Sequence, residues 1–210
     1  MADELMKNGL NIEWVCIPAG GFLYGDTEER RELDTFDIMK YPVTVAQYRQ
    51  FCDAAGRQMP TPPSWGWQDS HPIVNVTWDD ATAFAEWVGA SLPTETQWEK
   101  AARGTDGREY PWGDTWDASK CANSVGKKLT STQPVGSYAS GASPYGCMDM
   151  AGSVWEWCAD LYDSTKGYRV LRGGGWYDGL GSVGSCRCAS RRPGSDRYFD
   201  WGDIGFRLAR

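Results

Sequence analysis

Twelve tryptophans and twenty-five glycines in a chain of 210 residues constrain its fold more than any single motif does. Glycine frees the backbone for tight turns at the cost of regular elements, and large aromatic side chains supply burial where those elements are scarce. The combination predicts a loop-rich domain whose few helices and strands are pinned by aromatic anchors. His71 is the one histidine, and none of the seven cysteines forms a CxxC pair. A Cys/His zinc site and a histidine-based triad therefore lack material, and most hydrolase chemistry falls with them.

The length suits one domain with a sizeable core. A net charge of −7 gives no global field to hold a polyanion, so nucleic acid is not an expected partner. Near its start the sequence shows no basic stretch followed by an apolar run, and no stretch of about eighteen apolar residues occurs. The expectation is a cytoplasmic chain without a membrane segment. An odd cysteine count without an export signal predicts buried, reduced thiols.

Along the chain, residues 14–24 read as a strand broken at Pro18 and at Gly20 and Gly21, followed by an acidic turn through Asp26, Glu28 and Glu29. A second short strand is expected over 36–42. Thr44 caps a helix that puts Val45, Tyr48, Phe51 and Cys52 on one face and stops at Gly56. After a rigid loop with Pro60, Pro62 and Pro63, Thr77 starts a second helix, acidic in its first turn and apolar at Phe84, Trp87 and Val88. Thr94 with Gln97 makes a capping box for a short third helix that closes at Gly104. Residues 105–153 predict a long ordered loop region held by Trp112, Trp116, Tyr138 and Tyr145, and strands return at VWEWCADLY and YRVLRGGGW. No repeat or linker divides the chain, which reads as a single domain over 1–210.

The blocks IPAGGFLYG, YPVTVAQYRQFC, PIVNVTWDDATAFAEWVG, LPTETQWEKAARG, YPWGD, PVGSY, SPYGCMDMAGSVWEWCADLY, RVLRGGGW and IGFRLAR resemble, in order and spacing, the formylglycine-generating (sulfatase-modifying factor) family. The resemblance runs from about residue 12 to 210. It implies an α+β, C-type-lectin-like fold of the formylglycine-generating-enzyme type, with two main helices, small antiparallel sheets and much irregular loop.

Fold is not function, so the site residues are weighed separately. In the family's oxidases, a cysteine stands two places after the aromatic of a GGSW-like turn and a second stands five places further on, and their thiolates hold copper. Counted from Trp176 without gaps, those positions are Asp178 and Val183. Cys186 and Cys188 fall in CRCASR, which resembles a family strand in which positions i and i+2 share a face, and packing is the expected role for both. Glu156, between Trp155 and Trp157 and without a second carboxylate or base beside it in sequence, reads as a structural acid hydrogen-bonded in the core rather than a catalytic one. Family members often place calcium near an asparagine before PVGSY and near another in GNVWEW. This chain has Asn123 at the first place and Ser153 at the second, so the resemblance implies at most one weak calcium site near Asn123 and no other cofactor. Gly173, Gly174 and Gly175 lack the Lys/Ser pair and helix of a phosphate loop and read as a tight turn beside Trp176.

Residues 177–210 contain no Lys, Glu, Gln or Met, whereas the first 176 contain 29 of them. Gly, Ser, Asp, Arg, Tyr and Cys fill the window instead, a palette of adaptable and aromatic contact residues. Its net charge is +2 against −9 for the remainder. In these respects the chain is similar to the variable proteins of diversity-generating retroelements, which share this lectin-like fold and vary at the C-terminus. There, adenines of Asn codons are randomised, and the products cannot encode Lys, Glu, Gln, Met or Trp. The resemblance implies a variable region at about 177–203, with Trp201 part of the scaffold.

Such variation is tolerable only on a rigid support, for which Trp155, Trp157, Arg172, Trp176 and Phe206 are the expected hold. The expected exposed, ligand-contacting set is Tyr177, Asp178, Gly179, Ser182, Val183, Ser185, Ser190, Ser195, Asp196, Tyr198, Phe199, Asp200, Gly202 and Asp203, with Tyr198 and Phe199 as aromatic anchors. The function expected is non-enzymatic binding of a protein or other macromolecule by a monomer or weak oligomer. The alternatives are a copper-oxidase or sulfatase-modifying relative that has either lost activity or shifted its chemistry to Cys186 and Cys188, and a structural or adaptor domain without a variable surface.

Overall fold

A computed structural model describes residues 10–125, 129–177, 183–195 and 202–210. Two short hairpin-like pairs open the chain. Strand β1 (Trp14–Ile17) pairs antiparallel with β4 (Phe36–Met39), and β2 (Gly20–Tyr24) pairs antiparallel with β3 (Glu29–Leu33). The segment 14–24 is therefore not one interrupted strand. Pro18 cannot donate to a ladder, and Gly20 at φ 123° turns the chain so that its two halves take different partners.

Three helices follow, α1 (Val45–Ala55), α2 (Trp78–Val88) and α3 (Glu95–Arg103), each opened by a threonine capping box: Thr44 with Gln47, Thr77 with Asp80 and Thr94 with Gln97. Gly56 and Gly89 close the first two in the left-handed conformation. The face of α1 is the expected one, and Tyr48 stacks on Phe84 of α2 at 5.8 Å while Phe206 meets Phe84 edge-on at 5.4 Å. This aromatic group joins Trp155, Trp157 and Leu171 in one core, and a second core gathers Ile17, Ile38, Trp98, Met150, Cys158 and Val170.

Between α3 and the next strand the chain forms only two 3-10 turns, Ala118–Lys120 and Ala139–Gly141, among the described residues. Tyr110, Trp112 and Trp116 cluster with ring centroids 5.3–5.9 Å apart and order this loop, as the sequence led us to expect of the tryptophans.

The last sheet has the order β7-β6-β5-β8: β5 (Trp155–Asp163), β6 (Tyr168–Arg172) and β7 (Arg191–Gly194) are antiparallel neighbours, and β8 (Ile204–Gly205) runs parallel to β5. Pro193 is accommodated because β7 is an edge strand. CRCASR is not a strand, contrary to expectation. Val183–Cys186 is a 3-10 turn, and β7 starts only at Arg191. The C-terminus stitches this sheet to the first pair, Leu208 accepting from the Met39 amide and Arg210 from Asp37.

Candidate functional site

The frame begins at Glu156, fully buried at the start of β5. It accepts two hydrogen bonds from Arg207, Nε to Oε2 at 2.7 Å and Nη2 to Oε1 at 2.8 Å, and one from Trp98 Nε1 at 2.8 Å. Arg207 is also fully buried and donates to the carbonyls of Met39, Lys40 and Met148. A fork-to-fork pair with every neighbouring acceptor supplied is the arrangement in which a buried ion pair is tolerated. The structural reading of Glu156 agrees with this geometry. Its partner lies fifty-one residues away, in IGFRLAR, and spacing alone did not reveal it.

Arg172, at the end of β6, makes a second buried system. It donates Nη1 to Glu95 Oε1 at 3.2 Å and Nη2 to Glu99 Oε2, and its remaining bonds go to the carbonyls of Ala189 (3.0 Å) and Cys188 (2.6 Å). Arg191 clasps Glu95 through two bonds of 2.7 and 2.9 Å. One arginine of the sheet and two acids of α3 thereby fix the backbone that leads into β7.

The two ends of the C-terminal segment meet. Trp176 Nε1 donates to the Gly202 carbonyl at 2.8 Å, its amide donates to Ser153 at 2.7 Å, and the Trp155 amide donates to the Asp203 carbonyl at 2.7 Å. Asn75 Oδ1 receives the Gly202 amide at 3.1 Å, and Trp65 packs edge-on against Trp176 at 5.3 Å. Gly202 is required here, with φ 72° and a position at which a Cβ would lie 2.6 Å from the Trp65 ring. Trp176 and Gly202, which flank residues 177–201 in the chain, are thus joined by one hydrogen bond, and between them the described residues 183–195 are held a second time, through β7 and the buried Cys186 and Cys188.

All five residues expected to hold the surface are buried: Trp155, Trp157, Arg172, Trp176 and Phe206. Of the expected contact set, Tyr177 is 58% exposed, and Val183, Ser185, Ser190 and Ser195 are half-buried. Gly202 and Asp203 are buried, against the expectation of exposure. Both belong to the clamp that closes the segment, and the Asp203 carboxylate also lies 3.8 Å from Arg192. Asp178, Gly179, Ser182, Asp196, Tyr198, Phe199 and Asp200 lie outside the described residues.

Val183, at the second family thiolate position, packs on the Tyr110, Trp112 and Trp116 cluster. Cys186 is buried in that same cluster, while Cys188 is buried with Trp98, Ala101 and Cys158, so the two thiols sit in different packing environments. Burial pushes the Cys188 thiol well above its ordinary value, which favours the neutral form over the thiolate that copper needs. At the expected calcium position, Asn123 Oδ1 already accepts the Val125 amide and its Nδ2 points to the carbonyls of Ala118 and Cys121. A donor nitrogen facing those oxygens does not fit a calcium ligand set. No helix among the described residues is long and apolar enough to cross a membrane.

Comparison with known proteins gives the lineage. The chain is 32% identical to the serine/threonine-protein kinase pkn1 of Chlamydia caviae over 99% of its length and 39% of that protein. It is 36% identical to the formylglycine-generating enzyme of Streptomyces coelicolor over 67% of its length and 52% of that enzyme. The chain spans about half or less of the length of these relatives. Among solved structures it resembles CarF, with a TM-score of 0.78, 27% identity and coverage of 96% of this chain and 98% of that one. It also resembles Treponema denticola variable protein 1, with a TM-score of 0.72, 20% identity and coverage of 93% and 94%, which is a likeness of fold. The fold is thus the α+β, C-type-lectin-like fold of the formylglycine-generating type that the sequence blocks implied. A family model for the sulfatase-modifying factor enzyme 1-like domain matches residues 3–210, and the chain belongs to that family.

Proposed function

We propose that this protein is a non-enzymatic binder that presents residues 177–203 to a protein or other macromolecular ligand. The observation that carries the reading is the closure at Trp176 and Gly202, which joins the two residues flanking positions 177–201 within the compositionally biased window 177–210. Within it, Cys186, Cys188, Ala189 and Gly194 are buried and belong to the support, whereas solvent-facing positions such as Tyr177 can change side chain at little cost to the core. The likeness in fold to a variable protein supports this, and Gly202 and Asp203 are assigned to the clamp rather than to the contact surface.

A sulfatase-modifying oxidase is the second reading, favoured by the identity with a formylglycine-generating enzyme. The residues argue against it. Asp178 and Val183 offer no thiolate pair, and Cys186 and Cys188 do not share a site.

Copper(I) titration with an assay for aldehyde formation on a cysteine-containing sulfatase peptide separates the two. The binder is expected to show neither tight copper binding nor product; stoichiometric copper(I) binding that disappears in a Cys186→Ser, Cys188→Ser variant would sink it. At the gene, a nearby copy of the 3′ coding end that differs at adenines, beside a reverse-transcriptase gene, is the expected companion.

A further inference from the structure

A cavity of about 250 Å³ opens beside the buried Arg172–Glu99 pair, between the β2–β3 turn, α3, the end of β6 and the segment leading into β7. Its wall includes Tyr24, Asp26, Glu99, Arg172, Arg187 and Arg191. The acceptors within reach are spent. Glu99 Oε1 takes the Gly25 amide at 2.6 Å and Arg103 at 2.9 Å, its Oε2 takes Arg172, and both oxygens of Glu95 behind the wall are held by Arg172 and Arg191.

The donors are not spent. Among the described residues Arg187 uses Nη1 on Asp26 at 2.7 Å and has its Nε 3.9 Å from Glu109, leaving Nη2 unengaged, and Arg191 keeps Nη1. Among the described residues the hydroxyls of Tyr24 and of Ser190, which also lines the cavity, have no hydrogen-bond partner, and neither has the buried Arg172 Nε. Burial foremost, with Glu95 and Glu99 nearby, pushes the Tyr24 phenol up to about 12, so it remains a neutral donor at physiological pH.

In charge the wall is matched, because three arginines face two carboxylates and Glu95 offsets the third. In hydrogen bonding it is mismatched. A dianionic phosphate would need surplus positive charge that is not there, and a neutral amide would bring one acceptor oxygen to a wall that offers donors on both Arg187 and Arg191. We infer that this cavity is a binding site for a single carboxylate, held by Nη2 of Arg187, Nη1 of Arg191 and the Tyr24 and Ser190 hydroxyls. One charged nitrogen from each arginine can meet one of the two oxygens of that group. Two sources carry it: a free small carboxylate, or an acidic side chain of a polypeptide.

The inference goes beyond the displayed-segment reading, and its probes are too small to report on a macromolecular ligand, so either can fail alone. The test is an amide NMR titration of the full chain with butyrate, with an acetyl-Gly-Glu-Gly-amide peptide, with methyl butyrate and with inorganic phosphate. Butyrate is expected to give saturable shifts at Gly25, Asp26, Ala189 and Ser190. Tighter binding of the peptide than of butyrate assigns the source to a polypeptide, and equal or weaker binding assigns it to a small molecule. Arg187→Gln should weaken butyrate about tenfold, equivalent to about 1.4 kcal/mol. Tyr24→Phe keeps the ring on which Arg31 stacks at 3.7 Å and should weaken it about threefold without lowering the melting temperature. Should Arg187→Gln unfold, the phenylalanine variant decides. Absence of saturation, an equal response to the uncharged ester, tighter binding of phosphate, or unchanged affinity in the Tyr24→Phe protein would overturn the assignment.

Discussion

The frame around Trp176 and the segment it releases are built in opposite ways. In the frame, charged and aromatic side chains are fully buried and reach across the chain: Arg207 to Glu156, Arg172 to α3, Trp157 through Nε1 to the Val76 carbonyl at 3.0 Å. Along the described part of the segment, buried side chains at Cys186, Cys188 and Ala189 alternate with positions held through backbone. The carbonyls of Cys188 and Ala189 are held by Arg172, the Cys188 amide by Glu109, and the serines at 185, 190 and 195 remain half-buried. Where the frame grips main chain, side-chain identity is released from the duty of holding the fold. That division is the physical precondition for a surface whose residues can change.

The sharpest way to break this comparison is to cut the frame. Trp157→Ala should cost about 3–5 kcal/mol, because a fully buried indole leaves a cavity and an unsatisfied Val76 carbonyl. Arg207→Met should cost a similar amount by leaving Glu156 buried without its counter-charge. Chemical denaturation measures both, and a loss below about 1 kcal/mol would mean that the frame is not the support described here. Next in size is the joint between the two regions. Gly202→Ala imposes a side chain on a positive φ against Trp65 and should cost about 1–3 kcal/mol, measured the same way, even though composition groups Gly202 with the surface.

A smaller effect is expected from acid. His71 is buried with Nδ1 2.9 Å from Thr132 Oγ1, and burial lowers its pKa below the ordinary histidine value. The folded state favours the neutral ring. The contribution is therefore present above the ordinary pKa of about 6.5 and is lost as pH falls toward the depressed one. Melting temperatures recorded from neutral to mildly acidic pH should fall, and the fall should be shallower in His71→Gln. Least of all, Tyr177→Ala should change stability by no more than about 0.5 kcal/mol, since its ring is mostly solvated. A large destabilisation there would move Tyr177 from the surface to the frame.

Much of the scaffold was legible because its signals are local. Thr44, Thr77 and Thr94 stand next to the amides they cap, and Val45, Tyr48, Phe51 and Cys52 share a face through helical periodicity alone. The hold residues were legible through their motif blocks. The misreadings share one cause. Whether residues 14–24 make one strand or two, whether CRCASR extends, and whether Gly202 and Asp203 face solvent all depend on partners far along the chain.

The sequence by itself determined the helices and their caps, the loop-rich character, the lineage, and the composition that marks residues 177–210, since each is written in neighbouring residues or in ordered blocks. Only the tertiary structure decided which charges neutralise one another. Glu156 meets Arg207, Arg172 meets Glu95 and Glu99, and Trp176 meets Gly202 across separations of 26 to 77 residues. Burial makes those pairings obligatory, because an unpaired charge or amide in the core costs several kcal/mol, but sequence spacing carries no record of which distant group answers it.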